Sequence, residues 1–209
     1  MALSTYAGLK AAIPSWVDRE DTDFAARVPD FIALCEQRLN YGGADGAGLR
    51  VAEMEKVAAL TPDANGNLTF PADYLESRSF NSSVPGYGSP RLTTPSAMVG
   101  QYGAGGIAQD IAVTGGVVAT YPRSNGPVTL TYYAKIPALS DANPTNWLLT
   151  KAPGIYLYGS LLESAPFESD DARMQSWLAL YASALAGLKS TDVGSRFANA
   201  VSRVRGPTP

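Results

Sequence analysis

Apolar positions recur along this 209-residue chain with two different periods, and the change of period divides it. Phe24, Val28, Phe31, Cys35 and Leu39 fall three or four residues apart, the spacing that gathers side chains on one face of a helix. Ile155, Tyr158, Leu161, Leu162 and Ala165 repeat the pattern, as do Met174, Trp177, Leu178, Tyr181, Leu185 and Leu188. Elsewhere the period drops to two: Leu130, Tyr132 and Ala134 alternate with Thr129, Thr131 and Tyr133, as a half-buried strand requires. Residues 1–56 and 144–190 therefore read as an antiparallel helical bundle and residues 57–143 as an inserted antiparallel β-rich subdomain, with residues 191–209 as a C-terminal docking arm. The expected fold class is α+β.

Caps and breakers refine these elements. Ser4 or Thr5 can cap a first helix that ends at Pro14. A second helix runs from about Asp21 to Asn40, with a break expected near Val28 because Pro29 follows. The Gly-rich Tyr41–Gly48 loop after it is expected to be mobile. Pro153 sits at the first position of a later helix that Pro166 should stop, and Ser169 or Asp170 should cap the next. So short a connection implies an αα-hairpin, with Trp177 and Tyr181 buried near Tyr158 and Leu162. In the β region, Asn65-Gly66 predicts a two-residue hairpin between Val57–Leu60 and Leu68–Phe70. Gly115-Gly116 joins Ile111–Thr114 to Val117–Tyr121, and Ser124–Pro127 leads into Val128–Ile136, so these three strands predict a meander. Thr94-Pro95 starts one short helix.

Composition narrows the chemistry. Hydrophobic residues make up 45 % and charged residues 17 %, as in a globular protein, and no apolar run approaches a membrane span of ~20 residues. The first residues hold neither a basic cluster nor an apolar core, so the product is expected in the cytoplasm or in a particle assembled there. Sixteen Lys and Arg against 19 Asp and Glu leave a net charge of −3, which argues against a dedicated duplex-binding protein. The chain has no histidine, so a Ser-His-Asp triad, a Cys-His pair and histidine metal ligands are all excluded. Cys35, the one cysteine, lies on the apolar face of its helix and reads as a small buried hydrophobe. Gly103-Ala104-Gly105-Gly106 lacks the Lys-Ser or Lys-Thr of a phosphate loop. The carboxylates Glu163, Glu168, Asp170 and Asp171 read as caps and solvated surface. No catalytic residue, cofactor or metal is expected.

Two features outlast this elimination. Residues 81–134 carry only Arg91, Asp110 and Arg123 as charged side chains, which suits either a subunit contact or a β-subdomain packed on helices. From Val193 to Pro209 there are three arginines and no acid. Arg196, Phe197, Val201, Arg203 and Arg205 are therefore the candidate partner-docking residues, against a plain frayed terminus as the alternative.

Several segments carry a resemblance. Ser4–Lys10 and Pro29–Asn40 look like the N-terminal helices of phage adaptor proteins. Tyr132–Leu149, continuing through Ala152-Pro153, Tyr156–Gly159, Leu161–Phe167 and Asp170–Arg173, is similar to the same proteins almost without gaps. Arg50–Glu55 and Leu68–Glu76 also fit, residues 81–125 match loosely, and Tyr41–Gly48 departs where relatives continue with a short basic stretch. The chain thus resembles the head-to-tail adaptors of short-tailed phages. That resemblance implies a virion protein of the tail or neck, assembled in the host cytoplasm as a dodecameric ring of itself. Its partners would be the portal protein, the tail tube or nozzle protein and sometimes tail fibres, with DNA only passing through the lumen and no membrane involved. The alternatives are a binding module for a saccharide or protein ligand built on the β insertion, and an enzyme using Asp or Glu alone.

Overall fold

The computed structural model describes residues 3–19, 21–43, 46–82, 88–98, 105–114, 117–123, 126–168 and 171–197, with mixed α and β structure. The chain divides into two compact units, one of residues 1–53 with 136–209 and one of residues 54–135. Residues 136–143 thus group with the helices, and residues 54–56 with the strands.

The first unit holds most of the helices. Thr5 caps α1 (Tyr6–Val17) by accepting from the Gly8 N–H at 3.1 Å, and Asp21 caps α2 (Thr22–Tyr41) by accepting from Phe24 N–H at 2.9 Å. A short β1 (Gly42–Gly43) pairs with β2 (Gly46–Ala47), so these residues of the Gly-rich loop form a small antiparallel ribbon. Asn146 caps α4 (Trp147–Lys151), which leads to α5 (Pro153–Glu168) and α6 (Asp171–Phe197). Helix α5 contacts α1, α2, α4 and α6. Gly159 makes this possible: a Cβ there would lie 2.4 Å from Cys35 Sγ on α2 and 3.1 Å from the Tyr181 ring on α6.

The prolines do not act as expected. Helix α1 runs through Pro14, α2 through Pro29 and α5 through Pro166, with no break at any of them. Each proline forfeits one backbone bond, worth about 0.5–1.5 kcal/mol net. Around Pro29 the buried Phe24, Val28, Phe31 and Ile32 are each worth roughly 1.5–3 kcal/mol on one continuous face, and burial wins. Pro14 and Pro166 fall in the last turns of their helices, where little ladder remains to be lost. Helix α6 also differs from its expected stripe. Trp177, Tyr181 and Leu188 are buried, but Leu178 is exposed, and the helix carries on through Thr191 to Phe197. The expected caps Ser169 and Asp170 lie outside the described residues.

In the second unit, β3 (Glu55–Leu60), β4 (Asn67–Leu68), β5 (Tyr74–Ser82) and β6 (Arg91–Thr93) are followed by α3 (Pro95–Met98), the short helix expected after Thr94. Then come β7 (Asp110–Thr114), β8 (Val117–Tyr121) and β9 (Val128–Ala134). The strands make two sheets, ordered β3-β9-β5 and β4-β8-β7-β6, all antiparallel except the β6–β7 pair. Leu60, Phe80, Val128 and Leu130 of the first sheet share one core with Leu68, Ile111 and Val118 of the second. Strand β9 is the central strand, and its Val128, Leu130, Tyr132 and Ala134 are buried in alternation, as its period of two predicts.

The β7–β8 hairpin forms as expected, with Thr114 opposite Val117. The other two strand pairings do not. A turn does form at Asn65-Gly66, with Gly66 at φ +75, but the strands beside it part: β3 joins β9, while β4 joins β8. The Gly66 carbonyl accepts from both the Thr120 N–H at 2.9 Å and the Thr120 hydroxyl at 3.0 Å, which binds the turn to β8 instead of closing a hairpin. The meander stops after two strands, because β9 crosses to the other sheet. Each crossing puts an apolar strand face into the shared core, a gain that local turn chemistry does not measure.

Candidate docking surface

Three buried polar residues of the helical unit, Glu36 and Asn40 on α2 and Asn146 before α4, hold the returning chain. Glu36 follows Cys35 on the buried side of the helix, and its Oε1 accepts from the Leu139 N–H at 2.8 Å and the Tyr156 hydroxyl at 3.1 Å. One turn on, Asn40 Oδ1 accepts from the Ile136 N–H at 3.0 Å. Asn146 donates to the Tyr156 oxygen and to the Pro137 carbonyl, each at 2.7 Å, while its own oxygen caps α4 by accepting from Leu149 N–H at 2.8 Å. These bonds fasten residues 136–146, the stretch by which the chain returns to the helices, along the end of α2.

Electrostatics shows what this set can do. Burial raises the Glu36 carboxyl above its ordinary range, against the bonds from Leu139 and Tyr156 that favour its charged form. Burial also pushes the Tyr156 hydroxyl far up, helped by the Glu36 charge. Cys35 is raised too, first by burial and then by the Glu163 and Glu36 carboxylates, so it has the character of an inert core thiol. Glu163 itself binds Arg38 of α2 at 2.6 Å, tying α2 to α5. Among the described residues no group of three or more His, Cys, Asp or Glu is placed to hold a metal ion. The arrangement positions chain segments; it presents no activated nucleophile or paired acid and base. None of Glu36, Asn40 or Asn146 was singled out from the sequence. The available signal was an acid and an amide on the buried side of α2, one turn apart, at Glu36 and Asn40.

The predicted docking residues are not part of this set. Arg196 and Phe197 stand in the last turn of α6, while Val201, Arg203 and Arg205 lie outside the described residues. Sequence reasoning missed the rest of α6. No side chain from Met174 to Leu188 is charged, and the helix exposes Leu178 and Leu180, with Val193 further on. Leu34 on α2 and Trp16 on α1 are exposed as well. On the β unit Val57, Leu92, Val113 and Val117 face solvent. There Arg91 meets the buried Asp110 through two bonds, at 2.9 and 3.2 Å, so two of the few charges between residues 81 and 134 neutralise each other.

A model of the SU10 adaptor protein family matches residues 4–205. The chain belongs to this family. No curated protein matches it. An SU10 adaptor protein is a structural component of a phage virion that interacts with other head and tail proteins. The match reaches through residues 81–125, where the resemblance to phage adaptors is loose, and to within four residues of the chain's end at Pro209. Among the described residues of this SU10 adaptor protein, no helix is long and apolar enough to cross a membrane.

Proposed function

We propose that this protein is a head-to-tail adaptor that forms a dodecameric ring between the portal and the tail tube or nozzle. In this reading the helices form an antiparallel bundle that makes the body of the ring, and DNA passes through the lumen. The family match over residues 4–205 is the observation that carries it. The charge-free stretch of α6 supports it, since exposed Leu178 and Leu180 suit a neighbouring subunit better than water. The net charge of −3 supports passage of DNA without tight binding, because a duplex binder would present a basic face. Arg196, Phe197, Val201, Arg203 and Arg205 dock the portal or a neighbouring subunit, the apolar groups filling pockets and the arginines meeting carboxylates.

Negative-stain microscopy and mass photometry of the purified chain, alone and with its portal protein, test the reading. Twelve-fold rings, or portal complexes with twelve added copies, are expected. A chain that stays monomeric with the portal at micromolar concentration would refute it.

A further inference from the structure

We propose that the C-terminal end of α6 latches the turn from which the chain leaves the helical unit, with Asp192 as the latch. Ala52–Met54 form a single 3-10 turn at the boundary between the units. The first N–H groups of such a turn have no partner inside it and need one from elsewhere. For Ala52 that partner is the Asp192 carboxylate, whose Oδ1 accepts at 2.7 Å across 140 residues of sequence. Asp192 is only 7 % exposed. It stands near the negative end of the α6 dipole, which by itself disfavours an acid, and its bond to Ala52 works against that. The same turn is held from a second side, because Glu53 pairs with Lys151 of α4. That pairing keeps the Glu53 carboxyl below its usual range, and the nearby Asp192 charge opposes the shift without cancelling it.

The position of this latch joins two features that sequence separates. Arg196 and Phe197 follow Asp192 by four and five residues, roughly 6–7.5 Å of helix rise. If Arg196 and Phe197 help dock a partner, as the proposed function has it, that part of the grip falls within two turns of Asp192. Any shift or stiffening of the end of α6 then acts on the Ala52 N–H, and through it on the turn that starts the β unit. Docking at the C-terminus is thereby reported to residues 52–54.

Amide hydrogen exchange followed by NMR on the full chain tests the latch without any partner. In Asp192→Ala, and in a chain ended after Ser190, the Ala52 amide should exchange about tenfold faster or more, the effect of removing its one hydrogen-bond acceptor. Asp192→Asn keeps the oxygen and should stay close to the parent. The amide of Leu161, in the core of α5, serves as the folding control. An unchanged Ala52 rate in Asp192→Ala, or equal losses in the Asn and Ala variants, would overturn the latch. Should the Ala variant unfold, the parent decides: a scalar coupling between the Ala52 nitrogen and the Asp192 side-chain carbon is expected, and its absence overturns the bond. Adding the portal protein to the parent separates the two proposals. A complex that forms and leaves the Ala52 rate unchanged refutes the report from the C-terminus. A complex that forms equally well with the chain ended after Ser190 refutes the docking role of the arm and leaves the latch result standing.

Discussion

The two units of this chain bury polar groups very differently. Among the described residues, Glu36, Asn40, Asn146, Ser160, Ser164 and Asp192 are buried in the helical unit, against only Asp110 and Thr120 in the β unit. The helical unit is assembled from the two ends of the chain, and its bonds from Glu36 and Asn40 close loops of about a hundred residues. Directional bonds add to the packing of the helix faces and fix where the returning segment sits. The β unit is one continuous stretch. Its register comes from the backbone ladders and from the alternation along β9, where a slip of one residue would turn Leu130 and Tyr132 out of the core. One unit is positioned by side-chain bonds, the other by periodicity.

The largest test of this contrast is a large core truncation in each unit. Trp177→Ala should cost ~3–5 kcal/mol and Leu130→Ala ~2–5 kcal/mol in urea unfolding, both from emptied packing. A loss under ~1 kcal/mol for Trp177 would mean that the indole packs on solvent or on another subunit. Gly159→Ala comes next. Its Cβ would fall 2.4 Å from Cys35 Sγ, so overpacking of about 1–3 kcal/mol is expected, visible as a lower Tm. A neutral Gly159→Ala would show that α2 and α5 can part, against the close packing described above. Gly66→Ala in the β unit should cost ~1–2 kcal/mol, since φ is +75 and the new Cβ would stand 3.1 Å from Arg123. An unchanged unfolding midpoint there would mean that the turn is not held by its bonds to Thr120.

The smallest effect concerns pH and has opposite signs at Glu36 and Asp73. Burial raises the Glu36 carboxyl above 4.5 in the folded state, so the folded chain keeps a proton that the unfolded chain releases. That contribution is complete below 4.5 and is lost as pH rises through the folded value. In the β unit, the Lys56 ammonium and then the Tyr132 hydroxyl hold Asp73 below 3.8, against its partial burial. Its contribution is present above 3.8 and is lost as pH falls through the folded value. Glu36→Gln should therefore flatten the decline in stability just above pH 4.5 and leave the acid limb in place. Urea midpoints measured across this range check it, and an unaltered profile would mean that Glu36 titrates as it does in the unfolded chain.

Much of the local structure was legible beforehand. Thr5, the β7–β8 hairpin, the short helix after Thr94 and the alternation along β9 each depend on residues a few positions apart, and that information is in the linear order. The family resemblance was legible for the same reason, in runs such as Tyr132–Leu149. What tertiary structure alone decided is what rests on distant partners. Pro29 remains inside its helix because the burial of neighbouring faces outweighs one lost bond, a balance no local rule contains. The Asn65-Gly66 turn was foreseeable, but its strands part because the core lies between two sheets and Thr120 claims the Gly66 carbonyl. Asp192 looks like any surface acid in the sequence, and Glu36 gives only its place on the buried side of α2. They become anchors only when Leu139 and Ala52, more than a hundred residues away in the chain, bring N–H groups that need an acceptor.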